Sequence, residues 1–64
     1  MASKIKLADG RELTVTLDGK KVVEELERTA REGLAFTRLN TPAKSRVWVS
    51  PRHVAAIEDR PDLD

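Results

Sequence analysis

The sequence predicts a small α+β domain of order β-β-α-β-β with a fifth short strand: one antiparallel sheet with a single helix packed on one face. Three observations carry this. Two stretches alternate polar and apolar residues and each is broken by a turn, one stretch between them has helical spacing, and 64 residues leave room for a single core.

Lys4-Ile5-Lys6-Leu7 alternates, Ala8-Asp9-Gly10 interrupts, and Glu12-Leu13-Thr14-Val15-Thr16-Leu17 resumes the alternation, which is a hairpin pattern. A two-residue loop at Asp9-Gly10 would set Ile5 opposite Thr14 and mix the faces. A three-residue loop sets Ile5 opposite Leu13 and gives Gly10 the left-handed bulge position. Ile5, Leu7, Leu13, Val15 and Leu17 then share a buried face, and Lys4, Lys6, Glu12, Thr14 and Thr16 point the other way.

Asp18 is a suitable N-cap for a helix over about residues 19–32, with Val22, Val23, Leu26, Ala30 and Leu34 at helical spacing and Gly33 as its stop. Glu24 with Arg28, and Glu27 with Arg31, are i,i+4 pairs in the favourable order. Phe36–Leu39 reads as a third strand, Asn40–Ser45 as a loop and Arg46–Val49 as a fourth strand. Ser50-Pro51-Arg52-His53 makes a turn, because proline cannot donate to a ladder, and Val54–Ile57 is a fifth strand or a covering segment. Residues 1–58 form the domain, and 59–64, with Asp59, Pro61, Asp62 and Asp64, form an acidic tail expected to fray.

Twelve Lys and Arg stand against eleven Asp and Glu, for a net charge of +1. The charges read as a mixed, solvated surface, and a nucleic-acid binder relying on bulk charge would be more basic. There is no cysteine, so no disulfide or thiolate-held metal supplements a core that buries only roughly 60% of the unfolded surface. No apolar run reaches the ~7–15 residues of a signal-peptide core or the ~20 of a membrane span. The expected location is the cytoplasm, with no membrane partner.

The residues point away from catalysis. His53 is the single histidine and has no ligand set around it, and Ser50 lacks a general base. Asp18-Gly19-Lys20-Lys21 has only one of the glycines a phosphate loop needs. Glu24, Glu25 and Glu27 belong to a solvated helix face. No catalytic residue, metal, cofactor or small-molecule substrate is expected.

One feature stands above this background. If Leu39 and Val47 share a face, Arg38 lies opposite Trp48 and Thr37 opposite Val49. Thr37, Leu39, Val47 and Val49 then pack under the helix, and Phe36, Arg38, Arg46 and Trp48 face outward, joined by Lys4 and Lys6 if the two hairpins form one sheet. Three readings follow. The faces are reversed and both rings are core; or the rings form a protein interface, with a homodimer supplying extra burial; or single-stranded nucleic acid stacks on them. The reading adopted is a non-catalytic protein-interaction module that pairs with itself or another protein, with nucleic acid as the alternative.

Arg46-Val47-Trp48-Val49-Ser50-Pro51-Arg52-His53-Val54-Ala55-Ala56-Ile57-Glu58 resembles the strand, Asn/Ser-Pro turn, strand ending of many short uncharacterised bacterial proteins, especially actinobacterial and phage ones. With Thr37-Arg38-Leu39-Asn40 it is also similar to the start of the flagellar FlbD-like family, whose members lack the preceding hairpin and helix. The resemblance implies a small cytoplasmic bacterial domain and carries over no catalytic residue.

Overall fold

A computed structural model describes residues 2–60. The elements are β1 (Ala2–Leu7), β2 (Glu12–Val15), α1 (Gly19–Arg31), β3 (Thr37–Asn40), β4 (Arg46–Val49), a 3-10 turn over Pro51–His53, and β5 (Val54–Arg60). The α+β class and the element order are those the sequence predicts. The expected single sheet is divided: β1 is central in an antiparallel β2-β1-β5 sheet, and β3 and β4 pair as a separate ribbon. Among the described residues one backbone bond joins the two, from Thr16 N–H to the Asn40 carbonyl at 3.0 Å. Ile5 and Val15 of the larger sheet, Leu39 and Val49 of the ribbon, and Val22 and Leu26 of α1 belong to one core.

The first hairpin has the register its alternation requires, with Ile5 opposite Leu13 and Lys6 opposite Glu12. Leu7 N–H donates to the Arg11 carbonyl (2.8 Å) and Gly10 N–H to the Leu7 carbonyl (3.0 Å), which closes the three-residue loop Ala8–Gly10 with Gly10 at φ 94°. The β3–β4 loop repeats this geometry. Thr41 N–H donates to the Ser45 carbonyl and Lys44 N–H to the Thr41 carbonyl, both at 2.9 Å, and Lys44 holds φ 64°. Equivalent positions thus carry glycine in one loop and lysine in the other. A Cβ on Gly10 would meet no atom within 4 Å, so its substitution is opposed by backbone conformation alone. Gly10→Ala is expected to cost about 1 kcal/mol and Lys44→Gly to stabilise by a similar or smaller amount. Thermal melts of the two variants check the opposite signs.

Asp18 accepts from Lys21 N–H at 2.9 Å and so caps α1 as predicted. At the other end Gly33 N–H donates to the Ala30 carbonyl (3.2 Å) and Leu34 N–H to the Thr29 carbonyl (3.0 Å), with Gly33 at φ 73°. These paired bonds need the left-handed residue that glycine supplies. The buried stripe is rotated from the expected one. Gly19, Val22, Leu26 and Thr29 are buried, whereas Val23 is 40% exposed and Ala30 and Leu34 face outward. Thr29 displaces Ala30 because its hydroxyl accepts from Thr37 Oγ1 on β3 at 2.6 Å, which satisfies a buried polar pair. Arg28 pairs with Glu25 and Glu32 rather than with Glu24, and Glu27 and Arg31 form no ion pair among the described residues.

β5 is longer than expected. It runs through Asp59 and Arg60, which the sequence assigned to the acidic tail, because Ala2 and Ser3 of β1 offer them partners. The remainder of that tail, residues 61–64, lies outside the described residues. Ile57 faces Ile5, and a register shift sets Lys6 opposite Ala56 but Leu7 opposite Val54. The extra residue lets Val54 and Ile57, three apart, both turn toward the core. Farther along, Ser3 faces Asp59. Ser3 Oγ donates to the Leu17 carbonyl at 2.9 Å, and Asp59 Oδ1 accepts from Gly19 N–H at 2.7 Å. The core comprises Ile5, Val15, Val22, Leu26, Leu39 and Val49, bordered by half-buried Leu7, Leu13, Leu17, Val47, Val54 and Ile57. It contains no aromatic ring.

Candidate interaction face

The β3–β4 ribbon has the predicted register: Thr37 opposite Val49, Arg38 opposite Trp48, Leu39 opposite Val47, Asn40 opposite Arg46. Thr37, Leu39 and Val49 are buried and Val47 is half-buried, while Arg38, Arg46 and Trp48 are exposed. Phe36, immediately before β3, is 57% exposed and Trp48 is 60% exposed. Those two values exclude the reversed-face reading, since neither ring belongs to the core. The inner face is fixed by Thr37, whose hydroxyl is engaged by Thr29. Alternation then sends Phe36, Arg38, Arg46 and Trp48 outward together.

Lys4 and Lys6 do not join this face. They lie on the outer side of the three-stranded sheet, where Lys6 stands 3.7 Å from Glu58. The division of the sheet separates them from the aromatic rings.

Two features escaped sequence reasoning. The first is a cleft of about 430 Å³ between the tip of the first hairpin and β4, with half-buried Leu7, Leu13 and Val47 beside Phe36 and Trp48. Asp9, Arg11 and His53 supply polar groups to it. No sequence signal marks it, because its walls come from both hairpins. β4 runs along this cleft with β3 on one side only. Among the described residues, its backbone makes no hydrogen bond outside that pairing.

The second feature was written in the order of the residues but hidden by the net charge. Residues 33–57 contain Arg38, Lys44, Arg46 and Arg52 and no Asp or Glu, leaving eight basic residues against all eleven acidic ones elsewhere. Along the sequence, this one stretch is purely basic while the rest is mixed in sign. Among the described residues, none of these four cations makes an ion pair or a side-chain hydrogen bond.

The α1 N-terminus offers no anion site, since the amides of Gly19 and Lys21 already hold the Asp59 and Asp18 carboxylates. His53 lies in the backbone frame of its turn: its N–H donates to the Ser50 carbonyl (3.0 Å) and its carbonyl accepts from Ala8 N–H (2.7 Å). Among the described residues no three His, Cys, Asp or Glu side chains gather where they could hold a metal ion, and no helix is long and apolar enough to cross a membrane. No protein-family model matches the chain and no curated protein matches it.

Proposed function

We propose that this protein is a non-catalytic protein-interaction module that pairs with a second copy of itself along β4. The observation that carries the reading is that both aromatic rings of the chain stand more than half exposed beside an apolar cleft and an unpaired strand edge. Exposed Trp and Phe beside Arg are the composition of interface centres, and an open strand edge is a template for another strand.

Charge selects the geometry. Two copies meeting face to face would bring Arg38 and Arg46 of one against Arg38 and Arg46 of the other. Antiparallel pairing of β4 with its copy, centred on Val47, instead sets Arg46 beside the partner's Trp48 on both sides of the two-fold axis. Cation–π contact then replaces repulsion, and the two ribbons become one four-stranded sheet. A stable interface takes about 800 Å² from each partner, under a fifth of the 4530 Å² surface.

Light scattering is expected to give a dimer mass for the wild type and a monomer mass for Trp48→Ala, which remains folded because Trp48 lies outside the core. Salt should change the dimer only modestly, since the contact is mainly apolar. A monomeric wild type, or a Trp48→Ala variant that fails to fold, overturns the reading.

A further inference from the structure

We infer that the outer face of the β3–β4 ribbon binds single-stranded nucleic acid, with bases stacked on Trp48 and Phe36 and phosphates met by Arg38 and Arg46, and by Lys44 in the loop that joins the two strands. The inference rests on the proposed function only in treating the two rings as a docking surface. It uses the outer face of the ribbon, where a base competes with the partner's Arg46 for the Trp48 ring in the dimer.

Three observations converge on this ligand. The rings are over half exposed, so a planar group can reach their faces. Arg38 lies directly across from Trp48, and Arg46 sits two residues from it on the same face, about 7 Å along the strand. Each stacking position therefore has a guanidinium beside it, and a nucleotide pairs a planar base with an anion in the same way. Lastly, four cations with no ion-pair partner among the described residues lie in a 25-residue stretch without a carboxylate. A polyanion is thus attracted to the ribbon, and Asp9, the acid in the cleft beside the rings, is already paired with Arg11.

The ligand chemistry is separable from that of an acidic protein surface. A carboxylate-rich peptide satisfies the arginines but leaves the rings in water, whereas single-stranded nucleic acid covers both. A duplex keeps its bases stacked internally and gives the rings nothing to engage.

The test is fluorescence anisotropy with a labelled single-stranded oligothymidine of about 16 nucleotides, a length that spans a single small domain. If three phosphates are neutralised per protomer, affinity should fall about 20-fold between 50 and 200 mM salt. Arg38→Gln should weaken binding and flatten the salt dependence by about one phosphate's share. Lys20→Gln, which removes the same charge from exposed α1, should leave binding unchanged. Trp48→Ala should lose about 5- to 150-fold, the range for removing one stacked base, and Trp48→Phe should recover much of it.

The proposal is overturned by any of three results: no binding at 50 mM salt, a duplex of the same length binding as tightly, or Lys20→Gln weakening binding as much as Arg38→Gln. Displacement by polyglutamate at equal charge concentration also overturns it, in favour of an acidic protein partner. Mass measured on the same samples keeps the two readings apart. A monomer that binds the oligonucleotide sinks the dimer alone, and a dimer that ignores it sinks only the present proposal.

Discussion

Ile5→Ala is expected to abolish cooperative folding at room temperature. Ile5 is fully buried at the centre of the middle strand, facing Leu13 on one side and Ile57 on the other. Truncating a buried Ile to Ala costs about 2–5 kcal/mol, the spread depending on how far the cavity collapses. Ile5 is held from both flanks by strands, so little collapse is available and the upper half of that range applies. A single-core domain of this size has only about 3–5 kcal/mol in hand without disulfides or metal, and this chain has no cysteine. Circular dichroism should show no sigmoidal melt for Ile5→Ala. Ile5→Val, at about 0.5–1.5 kcal/mol, should still melt cooperatively. A folded Ile5→Ala protein with an ordinary transition would mean that the core lies elsewhere.

Thr29→Val is the next largest expected effect, and its sign depends on what is done to Thr37. Both residues are at most 3% exposed, and Thr37 Oγ1 donates to Thr29 Oγ1. Replacing Thr29 alone leaves a buried hydroxyl donor without its acceptor, at about 1–3 kcal/mol. Valine has nearly the same shape and is likewise β-branched, so helix propensity and packing change little. Tm should fall by roughly 4–8 °C for each kcal/mol in a domain of this length. Adding Thr37→Val removes the orphaned hydroxyl and places a strong strand former on β3, so the double variant should regain most of the loss. Additive losses in the double variant would show that the hydroxyl pair is not the reason for the penalty.

What the residues disclosed in advance was the chemistry that acts over short range. The two hairpin registers follow from alternation together with an odd loop, and both helix caps are decided within four residues of Asp18 and Gly33. The outward placement of Phe36, Arg38, Arg46 and Trp48 follows from the same parity. What stayed hidden depends on partners distant in sequence. Thr29 is preferred to Ala30 only because Thr37 lies across from it. Asp59 and Arg60 become strand only because Ala2 and Ser3 are there to pair. Likewise the cleft beside Trp48 takes its walls from both hairpins, and neither hairpin alone contains it.

The bond from Gly19 N–H to Asp59 spans forty residues, and it sets the order in which the chain can complete itself. The amide that opens α1 has its partner only after β5 has docked on β1, and β1 is the first strand made while β5 is the last. The middle strand of the larger sheet must therefore wait, with one edge open, until β5 has been made. The helix cannot be fully seated during that interval. Such long-range closure slows folding and makes it a single late event rather than a stepwise one. Amide exchange should accordingly find the start of α1 and the β1–β5 ladder opening together, as one unit.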